Sequence, residues 1–534
     1  MARYYPIIYI RGYAMTVGER NETAADPFCG FNVGSTLYRG TSVKAQRPEK
    51  FVFESPLVRL TTEYRYQHVY QNGMDIVDEG WEPPKDDQGK PIPGIPPGSI
   101  VILRYYDDGS DYLGDGKARN IQEYARRLNA LILKIKERVC EYRDPDSGLY
   151  MDASDFRCYL VAHSMGGLVA RAFLQATKPD YKEAQATVDK FFTFATPHNG
   201  IDVLGMNVPS WLTSEQANTF NRDTMTQYLN LKTIAPKFDD RVDLIPDSAM
   251  NPDRIFCMVG TNRGDYEVLQ GAVRAFVGNG SDGLVRIDNA SLWGVRKDLT
   301  PVQVATAYAY RSHSGYFGIV NSEEAYQNLV RFLFGDVRVD ISLLVDGVSL
   351  PTAVQQKVDD GDTLEAGYQF EFRAAPKGKR WFLTRRQAVE DSPACRSHDD
   401  LTGGDDSKRT VYLSSIFLSR RGKVDDVDRA LSYVMMFAAK VPDYVINRRF
   451  WADAHYEGTD LFRGTAVVKV TPPPPETPDG DWNVSLVWTE GSQESVTQAV
   501  NFKNKPFIEI DLPFDRSGAP GIKGRLRLKV QPWE

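Results

Sequence analysis

The chain has 534 residues, 42% hydrophobic and 25% charged, the balance of an ordinary globular protein long enough for more than one core. Lys+Arg number 64 against 71 Asp+Glu, a net charge of −7, which argues against nucleic acid as the main partner. No apolar stretch approaches the ~18 residues of a membrane span, and five scattered cysteines show no CxxC pair of the kind that marks zinc or redox sites. The sequence opens Met1-Ala2-Arg3-Tyr4-Tyr5 straight into an apolar run, without a signal-peptide pattern. A cytoplasmic protein with reduced thiols is the expectation.

Pro6 to Ile10 (PIIYI) reads as a short buried strand stopped by Arg11-Gly12. Ser99 to Tyr105 (SIVILRY) is a second strand. A helix follows, because Ile121, Tyr124, Ala125, Leu128, Leu131, Ile132 and Ile135 share one face. Tyr159 to Ala162 is a third strand, leading through a glycine-containing turn to a helix over Leu168 to Gln175. Phe191 to Ala195 and Ile255 to Val259 are two more strands. Ser322 caps a helix that runs to about Phe334 and stops at Gly335. This alternation predicts an α/β fold over residues 1–335, with a mostly parallel sheet and helices on both faces. Two segments are too long for plain connections, about 14–98 and about 200–251. Over 336–534 the pattern changes to strand alternation punctuated by turns, as in Val337 to Ile341 and Leu526 to Val530. A β-sandwich-like C-terminal region of one or two modules is expected there.

The sharpest motif is Ala162-His163-Ser164-Met165-Gly166-Gly167, between a predicted strand and a predicted helix. A sharp turn there exposes the Ser164 hydroxyl, needs small residues at positions 162 and 166, and offers helix N-terminal amides to a developing oxyanion. Serine needs a base and an orienting acid to become a nucleophile. Of the six histidines, His313 lies between the last strand region and the closing helix, where the base belongs; His163 sits inside the turn, His198 follows the next strand too directly, and His398 and His455 fall in the β-rich region. Asp282, in the Ser281-Asp282-Gly283 loop, is the acid by chain order. Asp265 and Asp288 are the alternates.

These segments resemble bacterial lipases and esterases of the α/β-hydrolase superfamily, in the branch of GPI-inositol-deacylase-like lipases. IRGYA at Ile10–Ala14, AHSMGG at Ala162–Gly167, TFATPHNG at Thr193–Gly200 and SDGLV at Ser281–Val285, with His313 after them, occur in the family's order. The resemblance implies an oxyanion hole from the backbone amides of Tyr13 and Met165. It implies that His198 shapes the site without being its base. Two positions depart from the family: Arg11 stands where a histidine is usual, and Ser314 where some lipases place a calcium-ligating aspartate. The expectation is therefore a serine hydrolase of carboxylic esters, a lipase or carboxylesterase, with no cofactor and no metal. Its partner would be a small-molecule or lipid ester, with contact to a lipid surface and none to nucleic acid. Arg11 and Trp211 are candidate substrate contacts, and the apolar residues near Trp211 a candidate lid. A phospholipase, thioesterase or acyltransferase would use the same triad, and a mainly binding protein using the β-rich half is the reading from another class.

Overall fold

A computed structural model describes residues 4–534 except 13–16, 27, 29–30, 32–34, 41–47, 54, 116, 118, 204–205, 208–216, 264–279, 316–317, 423–429, 448–453, 475, 478–479, 490–494 and 504. The chain divides into two units. One comprises Met1–Val304 and Arg311–Tyr326, the other Ala305–Tyr310 and Gln327–Glu534.

The first unit is built on a parallel sheet. Six of its strands lie in the order Ile255–Gly260, Val188–Phe194, Cys158–His163, Ile7–Ile10, Ser99–Ile102, Gln67–His68. Every residue of Ile7–Ile10, Ser99–Ile102, Cys158–His163 and Ile255–Gly260 is buried. Covered on both faces, such strands read as continuous apolar runs, which is why the sequence shows them so clearly.

The helix Ile121–Glu141 buries the predicted face and adds Val139 to it. Asn120 caps it, its side chain accepting from the Glu123 amide at 2.9 Å. The helix Met165–Leu174 differs, because all ten of its residues are buried. The segment after Tyr13 is not a simple loop. It contains the helix Val17–Ala25, the antiparallel hairpin Ser35–Gly40 with Pro48–Phe53, and the helix Pro56–Tyr64. In the segment after Gly200, Met225, Tyr228, Leu229, Leu231, Val242, Leu244 and Ile245 join the core of this unit. That part packs as core. Trp211, on which the expectation of a lid centres, lies outside the described residues.

The second unit is antiparallel. One sheet orders Thr410–Leu418, Val337–Ser349, Gly521–Pro532 and Ile508–Arg516. The other runs Thr384–Arg386, Thr363–Pro376, Leu431–Asn447, Ala454–Thr471, Trp482–Trp488 and Val496–Val500. Their inner faces share one apolar core. Phe514 of the first sheet meets Phe437 and Phe462 of the second, at 5.2 and 4.6 Å between ring centroids. Among the described residues, no helix is long and apolar enough to cross a membrane.

Candidate active site

Parallel strands end together, so residues just after them meet along one edge of the sheet. Arg11-Gly12 follows the strand Ile7–Ile10, Ser164 follows Cys158–His163, and Thr196–Gly200 follows Val188–Phe194.

Ser164 sits at φ 53°, ψ −127°, immediately before the helix Met165–Leu174. A non-glycine residue holds such a backbone only at a cost of about 1–3 kcal/mol, so the surroundings must enforce it. The Ser164 amide donates to the Phe194 carbonyl at 2.9 Å, and its carbonyl accepts from the Gly167 amide at 3.0 Å. Gly166 allows the close approach: a Cβ there would stand 2.2 Å from the Ile10 carbonyl oxygen and 2.6 Å from that of Arg11. The smallness expected at position 166 therefore has a backbone cause.

The hydroxyl of Ser164 lies 2.8 Å from His313 Nε2. His313 Nδ1 lies 2.8 Å from Asp282 Oδ2. The other carboxylate oxygen, Oδ1, accepts from the Leu284 and Val285 amides at 3.0 and 2.7 Å. The His313 amide donates to the Asp282 carbonyl at 3.0 Å, so the two loops are also joined by backbone. All three side chains are at most 4% exposed. The structure thus brings together Ser164, Asp282 and His313. Of the alternates, Asp288 is exposed, and Asp265 lies outside the described residues.

Met165 opens the helix after Ser164, where the first-turn amides have no partner within the helix. Tyr13 lies outside the described residues, as does Trp211. His198 is fully buried; its Nε2 meets Thr193 Oγ1 at 3.2 Å and Cys257 Sγ at 3.8 Å. Burial and the nearby Arg171 cation keep its pKa well below the ordinary value. Among the described residues, no three His, Cys, Asp or Glu side chains gather as metal ligands.

Residues 117–228 match the family of the PGAP1-like alpha/beta domain. The chain carries an α/β-hydrolase domain. Solved structures similar to it include the lin2722 gene product of Listeria innocua, at 13% identity over 62% of this chain and 94% of that one, TM-score 0.26. The mature lipase BlEst2 of Bacillus licheniformis is 13% identical over 62% and 93%, TM-score 0.30. Phospholipase PlaB of Legionella pneumophila is 11% identical over 85% and 91%, TM-score 0.29. No curated protein matches the chain significantly.

Three features of the hydrolase domain were not foreseen from sequence. His163 turns its Nε2 onto the His313 carbonyl at 2.8 Å, with the two rings 5.1 Å apart. A carbonyl accepts, so Nε2 carries the proton. Burial, reinforced by neighbouring His313 and Arg11, lowers the His163 pKa to about 3, and the ring stays neutral. The hydroxyl of Tyr105 donates to the Arg11 carbonyl at 2.5 Å and that of Tyr106 to the Gly12 carbonyl at 2.9 Å. Arg171, fully buried, donates to the carbonyls of His198, Val242 and Leu244 at 2.9, 2.6 and 2.8 Å. The tyrosine pair closing SIVILRYY was the one visible sign of such a grip.

Proposed function

We propose that this protein is a serine hydrolase of carboxylic esters, a lipase or carboxylesterase, with Ser164 as nucleophile, His313 as base and Asp282 as orienting acid. The observation that carries this reading is the unbroken chain of two 2.8 Å contacts from the Ser164 hydroxyl through both ring nitrogens of His313 to the Asp282 carboxylate. A carboxylate only accepts, so His313 Nδ1 holds the proton and Nε2 presents its lone pair to the hydroxyl. Ser164 Oγ attacks the ester carbonyl as its proton passes to Nε2. The imidazolium, stabilised by Asp282, then returns that proton to the leaving alcohol. Water repeats the sequence on the acyl-enzyme and frees the acid. The oxyanion falls at the start of the helix Met165–Leu174, where amides and the positive dipole end favour negative charge. The Met165 amide is one donor, and the Tyr13 amide is assigned the other by resemblance to related lipases.

A fluorophosphonate probe tests this directly. It should label the full chain at Ser164 and fail on Ser164→Ala. On 4-nitrophenyl esters, Ser164→Ala and His313→Ala should each lower kcat by about three orders of magnitude, and Asp282→Asn by less. Full activity in Ser164→Ala would end the proposal. A folded wild-type protein that takes no label would favour the binding reading.

A further inference from the structure

Arg11 adds a permanent positive charge next to the residue that packs on Ser164, and no described residue gives it a counter-ion. The strand Ile7–Ile10 ends immediately before it. Its neighbour Gly12 touches the nucleophile's residue: a Cβ on Gly12 would stand 2.8 Å from Ser164 Cβ and 3.0 Å from His163 Nδ1. The two tyrosine hydroxyls that grip the Arg11 and Gly12 carbonyls fix the root of the side chain. The guanidinium lies near the buried rings of His163 and Tyr105, whose protonation its charge disfavours.

Several other buried or half-buried arginines are bonded. Arg171 has three carbonyls, Arg386 the Ser392 carbonyl at 2.9 Å, Arg338 the Asp340 carboxylate at 3.0 Å, and Arg104 the carboxylates of Asp78 and Asp107 at 2.7 and 2.6 Å. The Arg11 guanidinium makes no hydrogen bond or ion pair with a described residue, and its Nη1 is shut off from water. A buried charged donor left unmatched costs more than an ordinary hydrogen bond returns. A salt bridge holding the loop, the ordinary role of such an arginine, is absent among the described residues. The two tyrosines hold the loop instead.

We infer that Arg11 is a substrate-recognition residue: the site takes esters that carry a carboxylate or phosphate beside the scissile bond, which the guanidinium receives as a two-pronged donor. This rests on the hydrolase reading above and adds to it a substrate class. The neighbouring imidazole of His163 is neutral, so it offers the anion no second charge. Specificity therefore depends on Arg11.

The test uses the full chain and two soluble ester pairs. One sets 4-nitrophenyl butyrate against the 4-nitrophenyl monoester of succinate, which places a carboxylate on the acyl side. The other sets dibutyryl glycerol against dibutyryl glycerophosphate, which places a phosphate on the alcohol side. The quantity read is kcat/KM for the anionic ester divided by that for the neutral one. In Arg11→Gln this ratio should fall about fivefold or more on one pair, mainly through KM. Arg11→Lys, which keeps charge without the fork, should fall less. The pair that responds tells on which side of the ester the anion sits. Changes below about twofold on both pairs, or equal losses on neutral and anionic esters, would overturn the inference. If Arg11→Gln does not fold, Arg11→Met, which also removes the charge, is read the same way. Ser164→Ala separates the two claims. If it abolishes turnover of all four esters while Arg11→Gln leaves the ratios alone, the hydrolase reading stands and the anion site falls. If Ser164→Ala keeps turnover, both fall.

Discussion

Among single residues, His163 shows how a position inside a motif acquires a role the motif does not state. Chain order excluded it as the base, and the strand-to-helix turn turns it away from the Ser164 hydroxyl. What it reaches is the backbone of His313, 150 residues later. No local pattern encodes that contact, because it depends on two distant loops meeting at one edge of the sheet. Ser164, Asp282 and His313 were legible for a different reason. A strained turn, a small neighbour and a fixed chain order are local or sequential facts. The neutral state of His163 has a thermodynamic consequence. Its pKa is about 3 in the folded protein and about 6.5 in an unfolded chain. Below pH 6.5 the unfolded state therefore binds the extra proton. The stability this group contributes is complete above pH 6.5 and is lost as pH falls toward 3, by about 1.4 kcal/mol per pH unit for one proton. His198 adds to the same trend, so the effect must be isolated by difference. Urea unfolding at pH 7 and pH 5 should show wild type losing about 2 kcal/mol more than His163→Gln. Identical losses would mean that the ring is already charged in the folded protein.

At the scale of elements, strands buried on both faces announced themselves, and helices with one wet face did so through their spacing. The helix Met165–Leu174 gave a weaker signal. Buried all round, it has no polar stripe, and the one charge in its middle, Arg171, looks like a solvent-facing residue. In the structure that charge is enclosed and consumed by three carbonyls belonging to the segments after Pro197 and Arg241. Burial lowers its pKa to about 10, still far above neutrality, so it remains a cation. In the second unit the short alternating runs marked strands that proved much longer. Leu431–Asn447 spans 17 residues, yet the adjacent Met435-Met436 and the interrupting Pro442 blur its alternation. Arg171→Leu would keep the bulk but strand three buried acceptors. Losing a buried, multiply bonded charge typically costs about 3–5 kcal/mol. The variant should therefore melt well below wild type in calorimetry, and any folded fraction should still label at Ser164. A melting temperature within about 2 °C of wild type would show that the three carbonyls find other partners.

The whole molecule interleaves its two units along the chain, and His313 sits where they alternate. The segment Arg311–Tyr326 that carries it belongs to the first unit, while the stretches on either side, Ala305–Tyr310 and from Gln327 onward, belong to the second. Within that second unit the flanking stretches are tightly engaged. The Thr306 amide donates to the Tyr412 hydroxyl at 2.9 Å, and the Ser414 hydroxyl donates to the Thr306 carbonyl at 2.9 Å. The Tyr308 amide donates to Thr384 Oγ1 at 3.2 Å. Farther on, Asn328 Nδ2 donates to the Leu383 carbonyl at 2.8 Å, and the Phe332 ring packs against those of Phe417 and Trp533, at 5.2 and 5.4 Å between centroids. The switch of sequence pattern at Gly335 does not reveal this, because composition marks where helices stop, not which core a strand joins. A chain cut after Gly335 loses every one of those partners. The Thr306 amide and carbonyl and the Tyr308 amide would lose these hydrogen bonds, and each large side chain uncovered, Phe332 first, forfeits about 1.5–3 kcal/mol. Against the few kcal/mol by which a typical domain is stable, that loss is decisive for the loop held between them. Residues 1–335 expressed alone should therefore be aggregated or lack a cooperative melt. Any soluble fraction should take fluorophosphonate at less than about a tenth of the full-length rate, because His313 is no longer held against Ser164. A monodisperse 1–335 fragment that labels at the full rate would show that the first unit holds its own base without the second.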